Sequence, residues 1–296
     1  MPGAEHPNQV EEVVVIGAGT MGHGIAHVAA LAGLTTTLVD VDPSALERGL
    51  AAIRRNLDRG VEKGKVSAQN RDAALARLRG SLELSAALRN ATVVIEAVPE
   101  NLELKKRTFE DLGRIAPENA LLGTNTSSLP VSEIAAATRY PERVVGLHFF
   151  NPVHVMELLE VVRGQATSDA VVARALDLGR RLGKECILVK DTPGFATSRL
   201  GLAIGLEAMR MLEDGVASAE DIDKAMTLGY RHPIGPLRLT DLIGLDVRLA
   251  IAEHLFRTLG RDSFRPPQML RDLVAAGKLG KKSGEGFYRW SDAQIT

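Results

Sequence analysis

Gly17-Ala18-Gly19-Thr20-Met21-Gly22 fits the spacing G-x-G-x-x-G, between a β-branched run at residues 13–16 and an alanine-rich apolar stretch. A strand, a tight turn and a helix in that order is the context in which this spacing holds a dinucleotide. Gly17 permits the sharp turn, Gly19 lets backbone amides approach a pyrophosphate, and Gly22 lets the helix pack closely on the strand. Thr20 and Met21 open the helix, whose unpaired N–H groups face the phosphates. Asp40 closes the next β-branched run, at the spacing where a carboxylate accepts both ribose hydroxyls. That carboxylate would repel a 2′-phosphate, and no arginine follows it in Val41-Asp42, so the cofactor expected is NAD rather than NADP.

Oxidising or reducing a carbon beside such a cofactor also needs a group that moves a proton, and histidine suits that task near neutral pH. Of the seven histidines, His148 falls at the C-terminal end of a predicted strand, the edge at which open α/β sheets bind ligands. His23 and His27 stand four residues apart, but Gly24-Ile25-Ala26 between them lacks the glutamate of a metalloprotease helix. They read as core or lining residues, and no metal is expected. The single cysteine, Cys186, excludes an internal disulfide framework and a cysteine zinc cluster.

The elements that must position these groups alternate. Strands are predicted at residues 13–16, 36–39, 92–98, 121–124, 144–148, 158–162 and 186–189. Helices are predicted at 25–34, 43–63, 102–115 and 168–182, with Asp42-Pro43 as N-cap and first helical residue of the second. This is the pattern of a Rossmann-type doubly wound, mostly parallel α/β sheet covered on both faces. Beyond Asp191-Thr192-Pro193-Gly194 the β-branched runs stop. Helical patterns at 195–214, 219–228, 237–259 and 267–276 predict an all-helical C-terminal domain. The expected division is a loose segment at 1–10, a dinucleotide domain at 11–191, and a helical domain for substrate and dimerisation at 192–296.

Composition narrows the class. The chain has 296 residues, 36 basic against 37 acidic, and 4% aromatic residues. Balanced charge and sparse aromatics argue against a nucleic-acid binder and against a polybasic membrane-surface protein. No apolar run approaches the roughly 20 residues of a membrane span. The first twelve residues lack the basic and apolar regions of a secretory signal, so a cytoplasmic location is expected.

Several stretches together resemble the 3-hydroxyacyl-CoA dehydrogenase family, which includes the bacterial 3-hydroxybutyryl-CoA dehydrogenases. They are residues 17–26 around the glycine turn, Asn125-Thr126-Ser127-Ser128-Leu129, His148-Phe149-Phe150-Asn151-Pro152 and Asp191-Thr192-Pro193-Gly194-Phe195. His232-Pro233-Ile234-Gly235-Pro236, residues 241–246 and residues 280–288 continue the likeness in the same order. The resemblance implies an NAD domain, a helical domain forming most of a homodimer interface, and reversible oxidation of an (S)-3-hydroxyacyl-CoA. It implies that His148 is the catalytic base and Glu160 its carboxylate partner, against the bland reading of Glu160 as a solvated edge-strand residue. Ser127 matches a serine near the substrate oxygen, donating to the developing carbonyl or positioning nicotinamide and thioester. Glu100, Lys105, Asn125, Asn151 and Lys282 match NAD contacts, and Asn56 and Lys63 match coenzyme A contacts. Lys63 reads equally as a solvated helix end in Glu62-Lys63-Gly64-Lys65. The pattern departs at Ser198, where the family has an active-site asparagine; a hydroxyl replaces a separate donor and acceptor there. Two rival readings accompany this one: a dehydrogenase of a free 3-hydroxy acid, as in the gulonate dehydrogenase and lambda-crystallin branch, and a non-catalytic NAD-binding protein.

Overall fold

The fully buried run Val13, Val14 and Val15 lies at the centre of the chain's first sheet. In the computed structural model, which describes residues 11–290, strand β1 (Glu12–Ile16) pairs in parallel with β2 (Thr35–Val39) on one side and β4 (Val93–Glu96) on the other. Adding β3 (Leu78–Ser81), β5 (Leu121–Thr124), β6 (Val144–Phe149), β7 (Leu158–Arg163) and β8 (Glu185–Lys190) gives one eight-stranded sheet. Its order is β3-β2-β1-β4-β5-β6-β7-β8. Every neighbouring pair is parallel except β6 and β7, so the last two strands run against the first six. The mostly parallel, doubly wound sheet expected from the alternation is therefore present. Burial on both faces explains the unbroken apolar runs of β1, β4 and β6.

Helices α1 (Thr20–Leu31), α2 (Pro43–Glu62), α3 (Ala68–Arg77), α4 (Leu84–Ala87), α5 (Leu102–Ile115), α6 (Val131–Ala135) and α7 (Asp169–Arg181) connect the strands. Asp42 caps α2 through the Ser44 amide, and Asn101 caps α5 through the Leu104 amide, contributing about 1 kcal/mol each. Helix α1 begins five residues before the expected start and ends three before the expected end. The glycine-rich turn does not delay it, because Gly22 and Gly24 lie inside the helix where space, not propensity, decides. Strand β3 and helix α3 were absent from the sequence expectation: Leu78-Arg79-Gly80-Ser81 is an edge strand with no apolar run to announce it.

The chain divides into two compact units, Met1–Thr192 and Pro193–Thr296. The segment 1–10 expected to be loose lies outside the described residues. Among its described residues the second unit has helices α8 (Thr197–Glu213), α9 (Ala219–Lys224), α10 (Pro236–Ile243), α11 (Leu245–Leu259) and α12 (Gln268–Ala275), and no strand. The single helix expected at 237–259 is two, broken at Gly244, whose φ of 108° no L side chain adopts easily. A π-helical turn, Ala225–Gly229, replaces the end of the helix expected at 219–228. Buried Asp223 and Asp241 organise this unit. Asp241 accepts the amides of Phe287 and Tyr288 and the indole N–H of Trp290, while Asp223 accepts the Leu237 and Arg238 amides and the Tyr288 hydroxyl.

Candidate active site

The glycine turn fits a diphosphate. Gly17 has φ 98°, and a Cβ on Gly22 would lie 1.7 Å from the Gly17 carbonyl oxygen, so neither accepts a side chain. Nothing stands within 4 Å of the place where a Cβ on Gly19 would be, which leaves the approach to α1 open. No side chain caps that helix, and its first amides are available to an anion. Asp40 is held in place by the turn itself. Its Oδ2 accepts the Ala18 amide at 2.7 Å and its Oδ1 the Asp42 amide at 2.9 Å. Each carboxylate oxygen keeps a lone pair for a ribose hydroxyl.

These groups line a cavity of about 560 Å³ in the first unit, with Gly17, Gly19, Thr20, Met21 and Asp40 on one side. Glu100, Asn125, Ser127 and His148 complete it. Glu100 organises the turn after β5: its Oε1 accepts the Thr126 hydroxyl at 2.7 Å, the Ser127 amide at 3.0 Å and the Ser127 hydroxyl at 3.2 Å. Asn125 Oδ1 accepts the Phe149 amide at 3.0 Å, tying that turn to the end of β6. Lys105 is not among the residues that line this cavity. Its ammonium is fully buried, 2.7 Å from Glu96 Oε1 and 3.5 Å from Glu100 Oε2, so it supports Glu100 from below. Gly22 likewise lies under the turn rather than on the cavity wall.

His148 and Glu160 face each other across the one antiparallel pair of the sheet. His148 Nδ1 is 2.6 Å from Glu160 Oε2, and both side chains are buried. A carboxylate on Nδ1 fixes the tautomer that presents Nε2 as proton acceptor and stabilises the imidazolium formed on proton uptake. The solvated edge-strand alternative for Glu160 does not hold, because β7 is an interior strand and Glu160 is 0% exposed.

A second cavity of about 520 Å³ adjoins the first at Thr20. Asn56, Arg59 and Lys63 of α2 and its C-cap enter it with Lys65, facing Asn151 and His154, and no acidic residue lines it. Asn151, expected with the cofactor, is placed on this wall. Sequence reasoning missed Arg59, Lys65 and His154, although Asn56, Arg59, Gly60 and Lys63 sit at i, i+3, i+4 and i+7 of one helix face. Ser198 and Lys282 are in the second unit. Ser198 lies in the first turn of α8, and Lys282 Nζ is 2.5 Å from Asp246 Oδ1, a pairing that holds the Asp246 carboxyl below its usual range. No group of three or more potential metal ligands occurs among the described residues.

A Rossmann sheet that carries a glycine turn, a carboxylate at the end of its second strand and a buried His–Glu pair defines an NAD-dependent dehydrogenase. The family described as "3-hydroxyacyl-CoA dehydrogenase, NAD binding domain" matches residues 12–192, and "3-hydroxyacyl-CoA dehydrogenase, C-terminal domain" matches residues 194–290. The chain belongs to the 3-hydroxyacyl-CoA dehydrogenase family. It is 45% identical over 284 residues to a probable 3-hydroxybutyryl-CoA dehydrogenase of Bacillus subtilis, covering 96% of this chain and 99% of that one. It is 43% identical to the 3-hydroxybutyryl-CoA dehydrogenase of Mycobacterium tuberculosis, covering 95% and 99%. The crystal structure of (S)-3-hydroxybutyryl-CoA dehydrogenase PaaH1 from Ralstonia eutropha matches with a TM-score of 0.93 at 42% identity, covering 96% of this chain and all of that one.

Proposed function

We propose that the protein oxidises a short-chain (S)-3-hydroxyacyl-CoA, 3-hydroxybutyryl-CoA foremost, to the 3-ketoacyl-CoA. The observation that carries this reading is the His148–Glu160 pair opening onto the cavity walled by the glycine turn and Asp40. NAD, when bound, supplies the acceptor for the hydride from C3. His148 Nε2 takes the hydroxyl proton, and Glu160 holds the ring and balances the imidazolium. Ser127, whose amide Glu100 holds, turns its one hydroxyl proton from Glu100 to the oxygen as that becomes a carbonyl. Asp40 binds the adenosine ribose, and Gly17, Gly19, Thr20 and Met21 receive the pyrophosphate. The roles of Asn125, Glu100 and Lys282 toward NAD, and of Ser198 toward the substrate, belong to the same proposal; Asn151, on the wall of the second cavity, is assigned to the acyl-CoA instead.

The cationic cavity supports a coenzyme A thioester over a free acid. Arg59, Lys63 and Lys65 face Asn56 with no competing carboxylate, a setting that suits the phosphates of a CoA chain. The reading includes a homodimer. Leu228 and Tyr230 are 78% and 77% exposed, beside an apolar cavity of about 490 Å³ lined by Ile204, Met211 and Met226. We place the enzyme in the cytoplasm, in fatty acid metabolism; the lone Cys186 creates no demand for an oxidising compartment. Among the described residues no helix is long and apolar enough to cross a membrane.

The test is NADH formation by wild type, His148→Ala and Ser198→Asn with (S)-3-hydroxybutyryl-CoA, free 3-hydroxybutyrate and gulonate. CoA-dependent turnover that drops by about 10²-fold or more in His148→Ala is expected. Faster turnover in Ser198→Asn would show the serine to be limiting. Turnover with a free acid alone would move the protein to the gulonate-type branch, and NAD binding without any turnover would make it non-catalytic.

A further inference from the structure

The wall of the cationic cavity contributed by residues 151–155 is neither helix nor strand. Within the loop at 151–157 the backbone bonds run from the Val155 and Met156 amides to the Pro152 carbonyl, and these do not attach it to the sheet. Contacts from Lys184 and from α1 brace it, beside the bond from the Glu185 amide of β8 to the Glu157 carbonyl. Lys184 Nζ donates to the Val153 carbonyl at 2.5 Å and to the Met156 carbonyl at 2.7 Å. The His154 ring stacks on His27 of α1, centroids 5.1 Å apart and planes 14° from parallel. Val153 presses on α1 so closely that a Cβ on Gly24 would come within 2.8 Å of it.

Of these contacts Lys184 is the one that reaches both ends of the loop. Its side chain is buried, and burial lowers its pKa although Glu157 opposes the shift. Its backbone is fixed by the bond from its amide to Gly179 O beyond the end of α7, and Glu185 next to it donates to the Glu157 carbonyl. The ammonium therefore sits on a rigid stem, and two of its three N–H donors serve the loop. Burying an ammonium is unfavourable unless carbonyls receive it, so the loop and the lysine hold each other in one arrangement. Neither Lys184 nor His27 lines the cavity itself; only what they hold does.

We propose that Lys184 is a positioning residue for the acyl-CoA substrate: by fixing the Val153 and Met156 carbonyls it sets the wall that carries Asn151 and His154 opposite the cationic face of α2. The inference rests on the acyl-CoA reading above. It separates the two cavities functionally, because the wall at 151–155 takes no part in lining the dinucleotide cavity.

The experiment compares wild type, Lys184→Met, Lys184→Arg and Lys184→Gln. It measures kcat and KM for (S)-3-hydroxybutyryl-CoA, NADH affinity by fluorescence titration, and folding by circular dichroism. In Lys184→Met the acyl-CoA KM is expected to rise about tenfold or more, with kcat within about threefold and NADH affinity unchanged. Lys184→Arg, which keeps N–H donors on a long stem, is expected to recover part of the loss. An unmoved KM in folded Lys184→Met overturns the proposal, as does a parallel loss of NADH affinity, which would mark general damage. Should Lys184→Met not fold, Lys184→Gln carries the test, since its shorter neutral side chain keeps polar character but loses the ammonium that serves both carbonyls. An unmoved KM there overturns the proposal too. Failure of wild type to turn over any acyl-CoA would sink the functional reading along with it, whereas wild-type turnover with an unmoved KM sinks only this inference.

Discussion

Glu160 meets His148 because the two are register partners across β6 and β7, and their 2.6 Å contact is buried. Replacing the carboxylate by an amide keeps the shape but removes the charge that balances an imidazolium. Glu160→Gln is therefore expected to lower kcat by about 10²-fold while leaving NADH affinity within about twofold, read by steady-state kinetics and fluorescence titration. A kcat within threefold of wild type would mean that the carboxylate does not serve the base. At this scale the sequence was legible where chemistry is local. The glycine turn and Asp40 follow from spacing, and His148 from its place at a strand end, with its role as base implied by the family likeness. Glu160 does not, because the register between two antiparallel strands is set by the loop joining them and by packing, and its own neighbourhood, Glu157-Leu158-Leu159-Glu160, reads equally as a solvated strand. Lys105 was placed with the cofactor by likeness, yet its full burial against Glu96 depends on the depth of α5 over the sheet, which no spacing reveals.

Helix α1 carries a histidine whose burial has a measurable cost. His27 is 3% exposed, and its pKa falls from 6.5 to about 4, first through desolvation and then through His154, His23 and Lys184. The unfolded chain protonates this ring at a higher pH than the folded one, so the folded state loses stability as pH falls from about 6.5 toward 4. Between pH 7 and pH 5 the loss from this group is about 2 kcal/mol. Urea denaturation at the two pH values is expected to show wild type losing about 2 kcal/mol more than His27→Gln. Equal losses would show that His27 does not titrate in this way. Helices with a cap and an amphipathic pattern were read closely: α5 has the predicted bounds, and α2 and α7 end within a residue of theirs. Elements without such marks were not. Strand β3 contains an arginine and a glycine and sits at the sheet edge. The break between α10 and α11 turns on the φ of a single glycine inside an otherwise continuous apolar period.

For the whole molecule, the change from β-branched to helical patterning near residue 191 is the coarse signal of two units, and the mostly parallel sheet follows from strands that alternate with helices. The reversal at β7 has a signal in the connection length, since the eight residues that join β6 to β7 are too few for a parallel crossover, which needs a dozen or more. The exposed apolar residues of the second unit bear on assembly. Wild type is expected to sediment at twice its 31.8 kDa chain mass, and Leu228→Asp combined with Tyr230→Asp to sediment at the chain mass. A double variant that stays dimeric would place the interface elsewhere.

The reversed strand pair that joins His148 to Glu160 separates them by only twelve positions in the chain, with β5 and β8 hydrogen-bonded on either side. The orientation of the imidazole is thus part of the sheet's ladder rather than of a movable loop. Its rotational entropy is given up during folding, and none remains to be lost when a substrate arrives, so the base meets each new substrate already aimed.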